Sequence, residues 1–492
     1  MTFTDYIFEF SSKYNKTAII FKNEISFEET FKNINNKASF IKNKKLSKKD
    51  AVLLVSENSN FFIENYFAII KSGAICVPIN PDLNSNEIKY IIDALNIKLI
   101  FTQKKFIKKI NGVVCDNVDI YTEHSECNFN YKHENNYSED INIKEDVAVI
   151  LFTSGSLGTP KGVMLTHYNL MCNTNSIIEY LKLTKEDRVE MVLPFYYCYG
   201  TSILHTHFRV GGSLVINNKF MFPQTVIEDI NKYNCTGFSG VPSTYQILLR
   251  MTDIKHNEVP SLRYITQAGG KLPETSIQEL IDILKGVDIF IMYGQTEATS
   301  RLSYLPPNLI NEKMNSIGKG INGTQLLVLN SEGKSVKPGE IGEVVAQGGN
   351  IMKGYFNDEE ETGKVIKQGS LYTGDLAKVD DEGYIYIVSR EKNIIKSGGN
   401  RISPLEIENI IVQIPEVVEC AVIGVYDDIL GEAVKAFVVL VENKSYIDFK
   451  YIFDFCKKQL PSYKTPRHVE FLKSLPKNSS GKVLIKKLKE LK

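Results

Sequence analysis

A loop rich in glycine and hydroxyl side chains occupies residues 153–162, directly after an apolar run at residues 147–152. Glycines let a backbone approach a phosphate and aim N–H groups at it, while Ser and Thr hydroxyls add further donors. The loop is not a Walker loop, because Pro160 and Gly162 stand where that pattern needs a glycine and a Ser or Thr. The alternative is a surface turn, but the position of the loop after a buried strand favours a phosphate site. The residues that we expect to contact a phosphate group are Thr153, Ser154, Gly155, Ser156, Gly158, Thr159 and Lys161.

In one-letter code the loop is TSGSLGTPKG, and it resembles the signature of the adenylate-forming superfamily. That superfamily includes acyl-CoA synthetases, firefly luciferases and peptide-synthetase adenylation domains, and its usual signature is TSGTTGxPKG. The sequence departs from it at Ser156 and Leu157, so that one hydroxyl is kept and one is lost. The resemblance continues from residue 51 to the C-terminus, and it implies that the loop binds the phosphates of ATP.

Residues 293–297, Tyr-Gly-Gln-Thr-Glu, match the YGxTE segment of that superfamily in full. The resemblance implies that Tyr293 packs on adenine, that Thr296 contacts phosphate in the catalytic step, and that Glu297 binds Mg²⁺. A carboxylate suits this last role, because Mg²⁺ is a hard cation that prefers oxygen ligands. Further residues that the resemblance assigns to ATP, in this segment and in the loop under the adenine at residues 267–272, are Gly294, Gln295, Gly269 and Gly270.

Asp375 ends the segment Tyr-Thr-Gly-Asp, and Arg390 follows fifteen residues later. A turn aspartate by itself is usually structural. In the superfamily, however, the residue at this position accepts hydrogen bonds from both ribose hydroxyls, and a carboxylate with two oxygens suits a vicinal diol. The resemblance therefore assigns Asp375 to the ribose and Arg390 to the donor half of the same clamp.

Three features near the C-terminus resemble the parts of the superfamily that move between two reaction steps. Lys392 stands where relatives carry a hinge residue. Ser397, Gly398 and Gly399 resemble the loop that enters the site for thioester formation, where glycines let a pantetheine chain pass close to the backbone. Lys482 ends a loop that resembles the one bearing the catalytic lysine, which would bridge the substrate carboxylate and the α-phosphate.

Two stretches, residues 193–200 and 237–242, resemble the segments that line the acyl pocket. The alternative for their aromatic residues is core packing. The amino-acid-activating branch carries an Asp in this region to pair with a buried ammonium, and we find none, which favours a substrate without an α-amino group. The predicted pocket residues are Tyr196, Tyr197, Phe238, Ser239 and Gly240.

The elements that must position these residues follow from periodicity. Apolar strands alternate with helical patterns through residues 51–101, which predicts a parallel sheet covered by helices. After Arg390 an amphipathic helix at residues 404–414 and further strands form a unit of roughly a hundred residues. We predict an α/β domain, residues 1–391, with helices packed on several mostly parallel sheets, followed by a small mobile α+β lid, residues 392–492.

The composition excludes several classes. The formal net charge is zero, which argues against a nucleic-acid partner. The eight cysteines form no CxxC pair, which fits a reducing cytoplasm. The sequence contains no apolar run of about 18 residues, so that we predict no transmembrane helix. His205 and His207 form an HxH pair, but with no other ligand cluster nearby we expect packing rather than metal binding.

The sequence therefore predicts a ligase that uses ATP and Mg²⁺ to convert a small-molecule carboxylic acid to acyl-AMP and then transfers the acyl group to a thiol. Resemblance to freestanding acyl-CoA synthetases, which act in fatty acid metabolism among other pathways, favours coenzyme A as the co-substrate. The alternative acceptor is the phosphopantetheine arm of an acyl carrier protein. A non-catalytic nucleotide-binding scaffold is the alternative from another class, and the intact candidate residues argue against it.

Overall fold

The structure is a computed structural model that describes residues 1–114, 117–125, 140–153, 160–256, 258–441, 447–477 and 483–491. Helices and strands are numbered in chain order. The helices are α1 Phe3–Ile7, α2 Phe27–Asn43, α3 Asn60–Ser72, α4 Ser85–Ala94, α5 Ile107–Asn111, α6 His167–Leu181, α7 Cys198–Val210, α8 Gln224–Tyr233, α9 Pro242–Met251, α10 Glu274–Ile283, α11 Glu359–Val365, α12 Pro404–Ile411, α13 Phe449–Lys457 and α14 Ile485–Glu490. The strands are β1 Thr17–Ile20, β2 Glu24–Ser26, β3 Ala51–Val55, β4 Ile75–Ile79, β5 Leu99–Thr102, β6 Asp119–Tyr121, β7 Val147–Thr153, β8 Lys161–Thr166, β9 Arg188–Met191, β10 Ser213–Ile216, β11 Gly237–Gly240, β12 Tyr264–Gln267, β13 Asp288–Tyr293, β14 Ser303–Leu305, β15 Lys319–Gly320, β16 Thr324–Leu329, β17 Ile341–Gly348, β18 Gly354–Tyr355, β19 Ile366–Lys367, β20 Ser370–Val379, β21 Ile385–Arg390, β22 Ile395–Ser397, β23 Asn400–Ile402, β24 Val417–Asp427, β25 Gly431–Leu440 and β26 His468–Phe471.

One sheet contains seven strands in the order β18-β8-β7-β4-β3-β5-β6. Strand β3 pairs in parallel with β4 and β5, as the alternating pattern predicts. Val52 and Leu54 enter one apolar cluster, and Leu53 and Val55 enter another on the opposite face. The strand is apolar throughout because both of its faces are buried.

Strand β6 lies inside residues 116–145, a segment whose polar composition predicts variable surface but no strand. It pairs in parallel with β5 at the sheet edge and is only partly buried. Three residues with one half-buried face give too little alternation to stand out from the polar residues around them. Residues 126–139 of the same segment lie outside the described residues.

A second sheet has nine strands in the order β15-β14-β13-β12-β11-β9-β10-β1-β2. Strands β9 to β13 run parallel to one another. Their carboxyl ends therefore share one edge of the sheet, which is where ligands bind in open α/β sheets. A third, antiparallel sheet of β16, β17, β19, β20 and β21 follows in the chain.

Beyond residue 391 the strands form a separate sheet, β23-β22-β25-β24, with β26 paired to β25. Helix α12 buries Ile407 and Ile411 as predicted, but it ends at Ile411 rather than at Ile414, because Pro415 disfavours a helical backbone at the residue before it. Strand β24 of this unit lies against α9, which belongs to the nine-stranded layer. The predicted class, an α/β part with helices on mostly parallel sheets followed by a small α+β unit, is confirmed.

Candidate active site

Four of the predicted motifs meet at the carboxyl edge of the nine-stranded sheet. The loops after β9, β11, β12 and β13 contain, in that order, residues 193–200, 241–242, 268–272 and 294–301. Strand β11 pairs with both β9 and β12, and β12 pairs with β13, so that the four loops are neighbours. Motifs that are separated by up to about a hundred residues in the sequence thus form one wall of a crevice.

Asp375 lies at the centre of a hydrogen-bonded cluster between the second and third sheets. Its side chain is 6% exposed. The Tyr293 hydroxyl donates to Oδ2 at 2.7 Å, and the Arg390 Nε donates to Oδ1 at 2.9 Å. Arg390 stands directly opposite Asp375 in the β20–β21 pair, and the Asp375 carboxylate raises the pKa of the guanidinium. The cluster leaves each carboxylate oxygen a second lone pair for a further donor.

Glu297 accepts a hydrogen bond of 2.9 Å from the Tyr355 hydroxyl at Oε1. The ring of Tyr355 lies beneath the Lys161 ammonium, with Nζ 5.0 Å from the ring centroid, in a cation–π contact. Lys161 also forms an ion pair with Glu361 on α11, and this lysine and Lys364 lower the pKa of the Glu361 carboxyl to about 2. Tyr355 therefore connects the lysine of the phosphate loop with the carboxylate predicted to bind Mg²⁺.

The turn that carries Glu297 is strained at Thr299, which has φ 65° and ψ −46°. The Ser300 N–H donates to the Ala298 carbonyl at 2.7 Å, closing a γ-turn that is rare for a β-branched residue. The Thr299 hydroxyl donates to the Asn350 carbonyl at 2.7 Å and holds the turn in place. Strain of this kind is commonly found at functional sites, because it fixes side chains that would otherwise relax.

Gly294 allows the same turn to fold back. A Cβ at this position would lie 1.9 Å from the Ser300 carbonyl oxygen, so no side chain fits. The close approach brings residues 300–301 against the end of β13, where the Leu302 N–H donates to the Tyr293 carbonyl. Thr296 sits at the start of this turn, 3.5 Å from the Cys198 sulfur through its Oγ1.

Two of the predicted acyl-pocket residues, Phe238 and Ser239, lie on opposite faces of β11. Ser239 lies in a small cavity on the side of α7, where its hydroxyl is 2.7 Å from Thr266 Oγ1. Phe238 points to the other face and packs in the core, with its ring centroid 5.8 Å from that of Tyr245. We therefore assign Phe238 to core packing, because successive side chains of a strand alternate between faces.

Other predicted pocket and nucleotide residues lie at the same edge. Tyr196 and Tyr197 pack ring to ring at 4.8 Å at the start of α7. Gly240 ends β11, where a Cβ would meet the Thr244 side chain at 2.9 Å. Gly269 has φ +91°, and its neighbour Gly270 accepts a hydrogen bond of 2.7 Å from the Gln267 side chain. The predicted roles of all these residues stay predictions.

Gly398 and Gly399 form the two-residue turn of the β22–β23 hairpin, with φ values of +53° and +79°. A turn with two positive φ angles needs glycine or asparagine, so the hairpin alone accounts for both residues. Ser397 precedes them and is buried. Lys392 lies in the short 3₁₀ turn Glu391–Asn393 that leads into this hairpin. Their predicted roles in thiol transfer and hinge motion stay predictions.

Thr153 of the phosphate loop lies at the end of β7, opposite Lys161 in β8. The other predicted residues of this loop, and the predicted catalytic lysine, lie outside the described residues. They are Ser154, Gly155, Ser156, Gly158, Thr159 and Lys482.

The two histidines of the HxH pair are both buried in α7 and face different partners. His205 Nε2 lies 2.9 Å from the Tyr66 hydroxyl, and His207 Nε2 lies 2.9 Å from the Tyr264 hydroxyl. Burial lowers the pKa of His205 to about 3 and that of His207 to about 4, so both rings are neutral near pH 7. The prediction that they pack rather than bind a metal agrees with these contacts.

Sequence reasoning missed two residues of the site. Tyr355 follows a glycine in the segment Lys-Gly-Tyr-Phe, which is visible in the sequence. The segment by itself indicates no function, because the role of Tyr355 depends on the hydrogen bond from its hydroxyl to Glu297. Arg301 lies four residues after Glu297 and is 2% exposed. A lone arginine in a sequence gives no signal of burial, since arginine is mostly exposed.

Two protein-family models match most of this chain. The model of the AMP-binding enzyme family matches residues 10–356, and that of the AMP-binding enzyme C-terminal domain matches residues 406–482. A long-chain-fatty-acid–CoA ligase of Bacillus subtilis (strain 168) is 29% identical over 97% of this chain and 92% of its own length.

Two solved structures are similar over nearly the whole chain. ATP-bound MatB from Rhodopseudomonas palustris superposes with a TM-score of 0.90 at 26% identity, covering 100% of this chain and 99% of its own. The o-succinylbenzoate coenzyme A synthetase of Bacillus subtilis, in complex with ATP and a magnesium ion, superposes with a TM-score of 0.86 at 27% identity, covering 99% of each chain.

The chain belongs to the AMP-binding enzyme family. It is an AMP-forming acid–thiol ligase of the acyl-CoA synthetase type, with ATP, Mg²⁺ and coenzyme A as its co-substrates and cofactor. In the described part of the chain no helix is long and apolar enough to cross a membrane.

Proposed function

We propose that the crevice at the carboxyl edge of the nine-stranded sheet is the adenylation site, and that its residues have the roles that their motifs suggest. Asp375 and Arg390 hold the ribose, Thr296 contacts phosphate, and Glu297 binds the metal. The observation that carries this proposal is the 2.7 Å hydrogen bond between Tyr293 and Asp375. This bond joins the motif of residues 293–297, on the second sheet, to the Asp375 motif, on the third sheet. Tyr293 lies four residues before Glu297 in the same motif.

The residues present fit one magnesium ion. Glu297 offers a carboxylate that already accepts one neutral donor, the Tyr355 hydroxyl, and pairs with no lysine or arginine within 4.0 Å in the described ranges. Mg²⁺ usually takes one or two carboxylates and completes its shell with substrate phosphates and water. Glu297 would therefore hold the ion, which when bound neutralises phosphate charge.

The residues of the chain act mainly by positioning and by charge. A carboxylate oxygen of the acid attacks the α-phosphorus, the bond to the bridging oxygen breaks, and pyrophosphate leaves with that electron pair. Lys482 stabilises the negative charge on the attacking carboxylate and the α-phosphate. A thiolate then attacks the acyl carbon, a thioester forms, and AMP leaves through its phosphate oxygen.

A two-position lid accounts best for the C-terminal motifs. We place its boundary after residue 391, with Lys392 as the hinge, so that the loop of Ser397–Gly399 and Lys482 reach the site in turn. Coenzyme A is the acceptor that we favour over a carrier protein, and the cytoplasm, where ATP and coenzyme A are present, is the compartment that we favour.

Similarity does not select the acid. One of the relatives described above is named for a long-chain fatty acid and another for o-succinylbenzoate, so that a role in fatty acid metabolism is one option among several. Ser239, Tyr196 and Tyr197 are the residues that we expect to line the pocket for the acid.

The test is a panel of carboxylic acids, from short aliphatic to aryl and dicarboxylic, scored by ATP–pyrophosphate exchange and by thioester formed with coenzyme A. We expect exchange with at least one acid and a coenzyme A thioester of the same acid. Exchange without thioester, restored by a phosphopantetheinylated carrier protein, would support the alternative acceptor. If a folded protein that still binds ATP showed no pyrophosphate exchange with any acid of the panel, the catalytic proposal would be wrong. The result would then support a nucleotide-binding scaffold.

A further inference from the structure

The strand that carries Asp375 bulges away from its neighbour β17 at this residue. Val345 of β17 pairs with Tyr372, and Glu343, two positions earlier in β17, pairs with Leu376. Three residues of β20 therefore stand opposite one residue of β17. A β-bulge redirects the side chains that it contains and leaves some backbone groups without a partner in the sheet. On its β17 side, Asp375 thus takes its direction from a bulge and not from a regular strand.

Side-chain hydrogen bonds hold this bulge together. The Thr373 hydroxyl donates to the Val344 carbonyl at 2.8 Å, and the Asp375 N–H donates to the Thr373 hydroxyl at 3.2 Å. The N–H of Gly374, which has φ +72°, donates to Oε1 of Glu343 at 2.9 Å. The Glu343 carboxylate thus takes the place of a backbone carbonyl as the acceptor for this N–H.

Glu343 lies where a negative charge is unfavourable. Burial raises the pKa of its carboxyl, and the charges of Glu391 and Asp375 raise it further, while the Gly374 N–H opposes the rise. Because desolvation and like charges both disfavour a carboxylate, the position is not one that stability alone would select for glutamate. What the side chain offers here is an acceptor that reaches the bulge.

The same bulge sets the geometry of the ribose clamp. The Asp375 carboxylate accepts from Tyr293 at Oδ2 and from Arg390 at Oδ1, at 2.7 and 2.9 Å. Both partners belong to other strands, so that the carboxylate meets them only if its own backbone is held in place. The N–H that Glu343 accepts lies one residue before Asp375, where a change of backbone direction would move the carboxylate away from both partners.

We propose that Glu343 is a positioning residue for the nucleotide, which holds the Gly374 N–H and thereby directs the Asp375 carboxylate at the ribose hydroxyls. This inference rests on the proposed ribose role of Asp375 and adds a residue outside every motif described above. In this role Glu343 acts through Asp375 and makes no contact with the nucleotide. Its loss should therefore weaken recognition of the ribose hydroxyls and leave the rest of the nucleotide site unchanged.

The test measures the affinity of the purified full-length chain for ATP and for dideoxy-ATP, which lacks both ribose hydroxyls, by calorimetry in the presence of Mg²⁺. We expect the wild type to bind ATP at least about tenfold more tightly, since a site built to hydrogen-bond a hydroxyl discriminates strongly against an analogue that lacks it. Glu343→Met keeps the size of the side chain but offers only a weak acceptor. It should lower the ratio of the two affinities roughly threefold to tenfold, while the affinity for dideoxy-ATP stays within about twofold.

Two further substitutions separate the length of the side chain from its charge. Glu343→Gln keeps an oxygen that can accept the same bond and should keep most of the wild-type ratio. Glu343→Asp keeps the charge but is one methylene shorter, so that it should fall short of the Gly374 N–H and lower the ratio as Glu343→Met does. If Glu343→Met does not fold, this pair still decides the matter, because equal ratios in the two variants would overturn the inference.

Glu340 offers a matched control. Its Oε2 accepts the Lys337 N–H at 3.0 Å in the turn before β17, outside the bulge. Glu340→Met also removes a hydrogen bond between a carboxylate and a backbone N–H, and it should leave the ratio of the two affinities unchanged. A drop as large as that of Glu343→Met would overturn the inference, because the loss of any such bond near β17 would then be enough.

A double-mutant cycle separates positioning from general destabilisation. In the Asp375→Ala background, Glu343→Met should change the affinity for ATP by less than about twofold, because the carboxylate that Glu343 positions is absent. An equal loss of ATP affinity in both backgrounds would leave Glu343 a structural residue and overturn the inference. An equal loss of affinity for ATP and dideoxy-ATP would have the same meaning.

Failure of the inference and failure of the proposed function give different results. If Asp375→Ala abolishes the preference for ATP over dideoxy-ATP and a folded Glu343→Met keeps it, the inference alone is wrong. If the wild type binds the two nucleotides equally well, the ribose role of Asp375 is wrong, and the inference is wrong with it.

Discussion

The hydroxyl of Tyr355 donates a hydrogen bond of 2.9 Å to Oε1 of Glu297, across 58 positions of sequence. Burial raises the pKa of this tyrosine, and the charge of Glu297 raises it further, so that the hydroxyl stays a donor at any physiological pH. The same ring supports Lys161. Tyr355 is therefore placed to hold the predicted metal ligand and the phosphate-loop lysine in a fixed relation.

Tyr355→Phe should remove the hydrogen bond to Glu297 while keeping the ring beneath Lys161. One hydrogen bond to a charged group contributes about 1.5–3 kcal/mol, so we expect adenylation to need a higher Mg²⁺ concentration and kcat/KM for ATP to fall roughly tenfold or more. The measurement is pyrophosphate exchange across a magnesium titration. Tyr384→Phe, on a ring that contacts Lys313 away from the site, is the control. An unchanged magnesium dependence would remove Tyr355 from the site.

Asp375→Ala should weaken ATP binding and leave the fold intact. Because two ribose hydroxyls would lose a charged acceptor, we expect a loss of roughly a hundredfold in affinity. Tyr293→Phe removes only the donor to Oδ2 and should cost less. Calorimetric titration of ATP measures both, with circular dichroism as the check on folding. Wild-type affinity in Asp375→Ala would show that the ribose assignment is wrong.

Lys482→Ala should slow adenylation by roughly a hundredfold to a thousandfold, which is typical for the loss of one preorganised group that stabilises developing charge. The same variant should still convert supplied acyl-AMP to thioester, because the second half-reaction does not need this lysine. Pyrophosphate exchange and thioester formation from synthetic acyl-AMP measure the two halves separately. Equal losses in both halves would speak against a lid with two positions.

The thiol path needs a substitution that the hairpin tolerates. Gly398→Trp would force a bulky residue into a positive φ and break the turn, so its failure would mean little. Gly399→Asn is better, because asparagine accepts positive φ and a Cβ at this glycine meets nothing within 4 Å. We expect thioester formation to fall at least fivefold to tenfold while pyrophosphate exchange stays near the wild type.

Gly383→Asn is the matched control for Gly399→Asn. It also has a positive φ, of +82°, with nothing within 4 Å of a Cβ, and it lies in a different hairpin. It should change neither half-reaction. If Gly399→Asn behaved like this control, the glycines of the β22–β23 hairpin would serve the turn and not the thiol.

The stability of the small C-terminal unit should depend on Glu408. Burial raises the pKa of this carboxyl to about 7, although the Val422 N–H donates to it at 2.8 Å and partly opposes the rise. A carboxyl whose pKa is higher in the folded state stabilises the fold fully at pH values below the unfolded pKa of about 4.3, and the stabilisation is lost as the pH rises through the folded value. Between pH 5 and pH 8 the melting temperature of the wild type should therefore fall by several degrees more than that of Glu408→Gln. Parallel melting curves for the two proteins would contradict this.

Much of the candidate site follows from the sequence alone. The glycine-rich loop, the segment of residues 293–297 and the Asp375 motif can each be recognised because their residues are adjacent in the chain. The alternating strands and helices of residues 51–101 likewise predict a parallel sheet, which β3, β4 and β5 form. Even the asparagine-tolerant glycine turn at residues 398–399 is a local pattern.

The tertiary structure alone decided which side chains meet. The register of β20 and β21 puts Arg390 opposite Asp375, and the alternation of β11 sends Ser239 to the cavity and Phe238 to the core. The hydrogen bond from Tyr355 to Glu297 depends on elements far apart in the chain. Local sequence determines the direction of a backbone over a few residues, but pairing and burial of a charge depend on the packing of whole layers against one another.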